Sequence, residues 1–597
     1  MSLLEKINNP KDLKKLNISQ LVELSNEIRA KIINVIKKNG GHLASSLGAV
    51  DVIIALYYVF DFPKDKIVFD VGHQSYAHKI LSDRKDLFET IRTEGGLSGF
   101  PNIFESVYDS FTVGHAGTSI SAALGIANAR DVLKDDYFVI SLVGDGSIFN
   151  GENLEAFISS EKKPEKFLVI LNDNGMSISK NSNGLYKAIS KISIKKRYSN
   201  FMGVMNKVFG WNFIGKGLKR IKASFKRSIG KLSVLDNVGI KYLGCFDGNN
   251  IKLLVRLLSD YKLNPRATLL HLKTKKGKGY IEAENQSEIF HGVSKDLLPS
   301  INSFSYQTGE SLIEIANNNN KISVITAGMT LGTGLTKFKE LYPNKFYDVG
   351  ISEEFAVTFA AGLAVSGLRP IVCIYSTFLQ RSYDQIMVDV ALQNLPVIFL
   401  IDRAGVVGVD GATHQGVFDL SYLRHVPNLI ILSPKDTFEL DAMIKFALTL
   451  NQPVAIRYPN GNYNNYEIHK ELSLNSLWEV VKNGDGACIL ANGARMLNLA
   501  LEAAKDTDAM VVNARTVKPL DNNLLLEIAN RKIITLEDNS KIGGFGSGVL
   551  EFYAENSISS KVNVLGISDQ FVEHAKVDSQ LAKNGITIDN IKKLILN

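Results

Sequence analysis

The chain reads as an α/β protein of three successive domains with mostly parallel sheets, and three observations carry that reading. Its 597 residues exceed what one hydrophobic core organises. Short apolar runs of strand length alternate with helix-length runs along most of the chain. Two polar breaks interrupt the alternation: LPSINS at 298–303, and 458–467, which holds four asparagines. The expected domains are therefore 1–300, 301–465 and 466–597.

In the first domain, 51–59 reads as an apolar helix, 67–71 as a short strand and 119–133 as an alanine-rich helix. Runs 137–143 and 167–171 read as strands, with a helical stretch, 154–160, crossing between them. In the second, 322–326, 371–374 and 397–401 are expected strands, and 356–365 and 383–393 expected helices. In the third, 487–491, 509–512 and 532–536 are expected strands of a smaller α/β unit. No repeat relates the three.

Composition narrows the class. Hydrophobic content of 45% and charged content of 22% are ordinary for a soluble enzyme. No run of 18 uncharged apolar residues suggests a membrane span, and the first residues lack the apolar core of a signal peptide. A cytoplasmic protein without a membrane partner is expected. Cys245, Cys373 and Cys488 lie far apart in apolar stretches and read as small core residues. The net charge of +7 is uneven: residues 180–235 hold 14 Lys/Arg and no acid, and without them the chain stands at −7. With Phe201, Phe209, Trp211 and Phe213 interleaved, that segment could meet RNA or an anionic membrane. A mobile, solvated insertion is the commoner origin of such a run, so no nucleic-acid partner is expected.

The chemistry starts from GDG at 144–146 and NDN at 172–174, each closing a predicted strand. Adjacent strand ends of a parallel sheet lie side by side, so Asp145 and Asn174 can converge although they stand 29 positions apart. A carboxylate, an amide carbonyl and backbone oxygens suit Mg²⁺, and the glycines let backbone N–H groups approach a diphosphate. Two polar strand-to-helix turns would leave the same strings. Taken together, they resemble the diphosphate–metal signature of thiamine-diphosphate enzymes.

Five of the ten histidines lie in glycine-rich or polar turns: His42, His73, His115, His291 and His414. Such a set suggests a site that handles protons and phosphate near neutral pH. Glu353 opens the expected helix 356–365 and is either a charge favoured by the helix dipole or a partner for a bound heterocycle. Phe378 and Arg381 sit at another strand end, where an aromatic face could stack on a flat ring.

Longer strings then match in order and spacing: GGHLASSLG (40–48), FDVGHQ (69–74), GHAGTSIS (114–121), NDNGMSIS (172–179), YSTFLQR (375–381), DRAGVVG (402–408) and DGATHQG (410–416). The chain thereby resembles the 1-deoxy-D-xylulose-5-phosphate synthases, transketolase relatives, from about residue 3 to its end. The resemblance implies a transketolase-like thiamine-diphosphate-binding fold, a homodimer, and condensation of pyruvate with D-glyceraldehyde 3-phosphate to 1-deoxy-D-xylulose 5-phosphate and CO₂. It implies that this reaction opens the non-mevalonate isoprenoid route and supplies a precursor of thiamine and pyridoxal phosphate. It implies Mg²⁺ on Asp145, Asn174 and the Met176 carbonyl. It also implies cofactor contacts from His73, Gly114, His115, Ala116, Gly146, Ser147, Asn174 and Tyr280, with Glu353 on the pyrimidine N1′ and Phe378 stacked on that ring. His42, His291 and His414 would share proton transfer and hydroxyl binding. Asp410 would take the acceptor's hydroxyls, and Tyr375, Arg381, Arg403 and Arg457 complete the implied substrate set, the last two clamping phosphate with Tyr375.

The chain departs from the family pattern in three places. Glu354 and Phe355 stand where Gln-His is usual, Asn460 where arginine is common, and Asn249-Asn250 where the loop usually carries histidine. A transketolase-type ketol transfer and a weakened regulatory paralogue are the rival readings. Retention of Asp145, Asn174, Glu353 and His414 speaks against the second.

Overall fold

A computed structural model describes residues 2–159, 163–175, 239–293, 300–461, 465–466, 471–473 and 476–597. It divides into two compact units. The first comprises Met1–Ile91 and Leu97–Ser294, the second Arg92–Gly96 and Lys295–Asn597. The expected basic insertion at 180–235 and Met176 lie outside the described residues.

The first unit is built on five parallel strands: β1 (Lys66–Phe69), β2 (Val139–Gly144), β3 (Phe167–Asp173), β4 (Lys241–Asp247) and β5 (Thr268–Lys273), in the order β1-β2-β3-β5-β4. Strands β2 and β3 are buried along their whole length, as continuous apolar runs covered on both faces should be. The helix Leu43–Val59 is buried on nearly every side, so the expected helix at 51–59 is the second half of a longer one. Inside it, Asp51 meets Arg29 of the helix Ile18–Asn39 at 2.7 Å, both fully buried. The helix Ser119–Leu133 has the expected bounds.

The second unit carries two sheets. One contains β6 (Ile322–Thr326), β7 (Phe346–Asp348), β8 (Arg369–Tyr375), β9 (Ile398–Asp402), β10 (Ile430–Leu432) and β11 (Val454–Arg457). The other contains β12 (Glu479–Lys482), β13 (Cys488–Ala491), β14 (Met510–Asn513), β16 (Lys532–Ser540) and β17 (Lys561–Ile567), ordered β12-β14-β13-β16-β17. Between them, β15 (Thr516–Lys518) leaves the C-terminal part of the chain and pairs antiparallel with β10, giving the order β15-β10-β11-β9-β8-β6-β7. Residues 485–518 therefore contribute to both sheets. A buried polar knot reinforces the join: Lys435 and Glu479 pair at 2.5 Å, Arg515 meets Glu439 at 3.1 Å, and Asn513 donates to Glu439. Residues 383–393, an expected α-helix, form a π-helix over Gln385–Ala391. Among the described residues no helix is long and apolar enough to cross a membrane. The three cysteines are free, Cys373 and Cys488 buried and Cys245 half-buried.

Candidate active site

In the first unit the chemistry gathers at the C-terminal ends of β1, β2, β3 and β5. Register pairs Gly144 with Asn172, so the turns bearing Asp145 and Asn174 leave neighbouring strands side by side. Asn172 is held at both ends of its amide: its Nδ2 donates to Gln74 Oε1 at 2.9 Å, and its Oδ1 accepts from Thr274 at 2.6 Å. Asp145 is 2% exposed and its Oδ2 has no hydrogen-bond partner. Burial, and secondarily the charge of Asp173, push its carboxyl up to about 7. Lys276, on the turn after β5, is buried and pushed down to about 8 by desolvation, with Asp145 and Glu288 holding it up. The sequence analysis gives Lys276 no role. A lysine in a glycine-rich turn just past a strand was the available signal.

Asp70, just past β1, orders the turn that carries Gly114, His115 and Ala116. Its carboxylate accepts from the Gly117 and Ser119 N–H groups at 3.0 and 3.2 Å. Asn153 joins this turn to the GDG turn, with Nδ2 3.4 Å from Asp70 and 2.9 Å from the Ser147 carbonyl. Gly117 has φ of +92°, and a Cβ there would overlap the Asn150 side chain. Asp173, next to Asn174, pairs with buried His271 at 2.8 Å and accepts the Gly175 N–H. Burial alone would lower His271, but Asp173 and Cys245 hold it up at about 9.

His42, His73 and His291 form one cluster. Ring centroids lie 5.5 Å apart for His42–His291 and His73–His291, and 6.0 Å for His42–His73. Enclosure by protein, with the charge of Lys276, pushes His73 down to about 3 and His291 well below its ordinary value. Both rings are neutral at pH 7, each with one nitrogen able to accept a proton or hydrogen bond. His73 Nδ1 is buried without a partner. Tyr280 stands apart from this set. It packs edge-on against Phe290 at 5.6 Å and lies under the Lys37 ammonium at 4.5 Å.

In the second unit Asp348, the last residue of β7, binds two loops together. It accepts from the Gly328 and Gly350 N–H groups and from the Thr330 hydroxyl. The chain then turns into the helix Glu353–Val365, whose first residue is Glu353. That carboxyl is 2% exposed, with Oε2 unbonded and Arg381 Nη1 at 3.8 Å. Burial pushes it up to about 7 against the pull of Arg381, and Glu354 adds a smaller push in the same direction. Glu354 itself is only half-buried, and Phe355 is 55% exposed with its ring 5.5 Å from Phe359.

A file of flat groups forms at the ends of β8 and β9. The Arg403 guanidinium lies 3.8 Å from the Tyr375 ring centroid, Tyr375 stacks on Phe378 at 5.8 Å, and Phe378 meets the edge of His414 at 5.7 Å. Arg403 donates to the Gly332 carbonyl at 3.1 Å, and a Cβ at 332 would overlap the Tyr375 hydroxyl. His414 Nδ1 is 2.9 Å from Thr413 Oγ1. Asp410 pairs with Arg92, a residue 318 positions earlier that sequence reasoning had no means of finding.

Arg457, an expected phosphate clamp, is also built into the fold. It is 3% exposed, its Nε lies 3.0–3.1 Å from both oxygens of Asp419, and its Nη1 lies 3.4 Å from Asp538. Two of its three nitrogens are thus committed to buried carboxylates at the end of β11, while Nη2 is buried without a hydrogen-bond partner. The asparagine pair 249–250 is also accounted for. Asn249 links the Asp51 carboxylate, at 2.9 Å, to the Lys275 N–H, and Asn250 caps the helix Ile251–Leu263.

Comparison with known proteins places this geometry. Residues 4–274 match the description 1-deoxy-D-xylulose-5-phosphate synthase, 303–465 the transketolase pyrimidine-binding domain, and 476–591 the transketolase C-terminal domain. The 1-deoxy-D-xylulose-5-phosphate synthase of Thermus thermophilus is 45% identical over 99% of this chain and 98% of its own. That of Carboxydothermus hydrogenoformans is likewise 45% identical, over 99% and 98%. The chain belongs to the 1-deoxy-D-xylulose-5-phosphate synthase family. The same-named protein of Clostridium acetobutylicum is 41% identical over 100% of this chain and 99% of its own. Membership makes the protein a transferase of the transketolase type, with three transketolase-like α/β domains of mostly parallel sheet.

Proposed function

We propose that the protein condenses pyruvate with D-glyceraldehyde 3-phosphate, giving 1-deoxy-D-xylulose 5-phosphate and CO₂, with thiamine diphosphate and Mg²⁺ as cofactors. The observation that carries the reading is Glu353: a buried carboxyl at the head of a helix, held near pH 7, with one oxygen unbonded. Asp145 Oδ2 and His73 Nδ1 are also buried without partners, an expensive arrangement unless a ligand satisfies them. These residues fit the cofactor pair. Asp145 and Asn174, with the Met176 carbonyl, would hold the metal, and His73, Gly114, His115, Ala116, Gly146 and Ser147 the diphosphate, with Lys276 adding positive charge.

Thiamine diphosphate, when bound, supplies the electron sink for loss of CO₂. The chain's own part is binding and proton traffic. Glu353 would hydrogen-bond the pyrimidine N1′ and hold or release a proton at Oε2, its near-neutral pKa matching both duties. Phe378 would offer its ring to the pyrimidine. His42 and His291, both facing His73, would bind hydroxyls and pass protons, and His414 would do so beside Phe378. Arg403 and Tyr375 would take the acceptor's phosphate and Asp410 its hydroxyls, while Arg381 biases the charge of Glu353. Family membership supports a homodimer in the cytoplasm, and a product feeding isoprenoid, thiamine and pyridoxal phosphate synthesis.

The test is incubation of the protein with thiamine diphosphate, Mg²⁺, pyruvate and D-glyceraldehyde 3-phosphate, following CO₂ and sugar phosphate together. Equal amounts of both are expected. CO₂ without sugar phosphate would make the protein a plain decarboxylase, and ketol transfer from a ketose without CO₂ a transketolase.

A further inference from the structure

The C-terminal domain has no part in the proposed chemistry, yet it grips the loop that carries Arg403, Asp410 and His414 and a segment that pairs with that loop. Gln580, 1% exposed in the helix Val577–Lys583, pairs with both backbone groups of Gly408: its Oε1 accepts the N–H at 3.1 Å and its Nε2 donates to the carbonyl at 2.9 Å. The same Nε2 donates to the Glu573 carbonyl at 2.7 Å. Gln415 extends the clasp, accepting the Val407 N–H at 2.7 Å and donating to the Val572 carbonyl at 3.3 Å. Gly408 and Gly411 have φ of +89° and +81°, and a Cβ on Gly408 would sit 3.4 Å from the Ala575 carbonyl. The loop bearing Arg403, Asp410 and His414 is thus moulded against residues 572–580.

The other side of that stretch holds the segment Arg92–Gly96. His574 Nε2 lies 3.1 Å from the Gly96 carbonyl, Ser579 donates to Glu94 at 2.7 Å, and Lys583 pairs with Glu94 at 2.7 Å. The segment begins with Arg92, which pairs with Asp410. Arg495, also from the C-terminal domain, donates to the Val406 carbonyl at 3.2 Å and to Asp538 at 2.6 Å.

We propose that residues 572–583 are a positioning frame for the acceptor side of the site, with Gln580 setting the loop 403–416 and the Glu94 contacts setting Arg92 so that Arg92 and Asp410 meet. The proposal rests on the acceptor role given to Arg403 and Asp410. The carboxamide is suited to the task because it satisfies a donor and an acceptor of one residue at once, which neither a carboxylate nor an alkyl group can do. A loop fixed in this way presents its side chains without having to order itself when substrate arrives.

The experiment uses the full chain with thiamine diphosphate and Mg²⁺. Gln580→Ala should raise KM for D-glyceraldehyde 3-phosphate about tenfold. It should leave kcat, pyruvate KM and cofactor affinity within about twofold. On an Asp410→Asn background it should add nothing further, since both changes act on one contact. Hydrogen exchange should speed up in 403–416 and also in 92–96, which Gln580 does not touch. Lys583→Met should speed exchange in 92–96 alone, and serves as the test if Gln580 variants fold poorly. Unchanged exchange in both segments would overturn the frame. So would a fall in all kinetic constants together with the melting temperature, the mark of a merely structural residue. Should Asp410→Asn and Arg403→Ala leave acceptor KM unchanged, the acceptor reading falls, and the exchange data alone decide the frame.

Discussion

The Arg381 guanidinium lies 3.8 Å from Glu353 Oε2, near enough to bias its charge and too far to take its hydrogen bond. A full ion pair would have fixed Glu353 as a carboxylate, and no cation would have left it a plain acid. The separation leaves a group that titrates near pH 7 and keeps one lone pair to offer.

Glu353→Gln should bind thiamine diphosphate almost normally and slow exchange of the cofactor's C2 proton by about 10²–10⁴-fold. Glu354→Gln should leave that exchange unchanged or faster, because it removes the charge that pushes Glu353 upward. The two side chains point about 100° apart on the first turn of one helix, so they cannot trade places. NMR of the bound cofactor separates them. Wild-type exchange in Glu353→Gln with none in Glu354→Gln would reverse the roles.

The same carboxyl predicts a pH signature without cofactor. Between its ordinary value of 4.5 and about 7, folded Glu353 keeps a proton that the unfolded chain has released. Stability must therefore fall as pH rises through that window, by at most about 3 kcal/mol for this group. Glu353→Gln lacks the penalty, so its melting temperature should gain on the wild type from pH 5 to 7 and hold the gain to pH 8. Parallel melting curves across that range would show that the carboxyl is not held near neutrality.

Arg457→Met should behave as a stability lesion. It strands Asp419, buried and otherwise paired through this guanidinium, at a cost of about 3–5 kcal/mol. Denaturant unfolding should show the loss, while acceptor KM in the surviving folded protein should stay within about threefold. A large rise in KM at unchanged stability would favour the phosphate-clamp role instead.

Gly332→Ala probes the stacked file. The added methyl meets the hydroxyl of a tyrosine wedged between Phe378 and Arg403, so the ring cannot simply swing away. The expected outcome is an intact fold with acceptor KM raised about tenfold, read by steady-state kinetics. Wild-type KM would mean that the Tyr375–Arg403 stack plays no part in acceptor binding.

Much of this was legible in the chain because the signals were local. Strand β6 and the helix Ser119–Leu133 have the expected bounds, and the GDG and NDN motifs begin on the last residues of the strands that announce them. Residues paired far along the chain were not legible. Arg92 carries no motif, and its role shows only when Asp410, 318 positions on, faces it. Arg457 is marked by the family resemblance alone, and its pairing with Asp419 comes into view only in the fold. Gln580 and Gln415 carry no motif, because a carboxamide that clasps backbone can meet any sequence.

Strand β15 has a practical corollary for anyone who handles the gene. Expression of residues 301–465 by themselves would leave β10 with a naked edge, the kind that recruits other chains and precipitates. The complementary fragment would carry a three-residue ribbon with nothing to pair. Domain shuffling among relatives should therefore exchange everything from about residue 300 onward as a single cassette, with crossover points kept out of the stretch between β10 and β15.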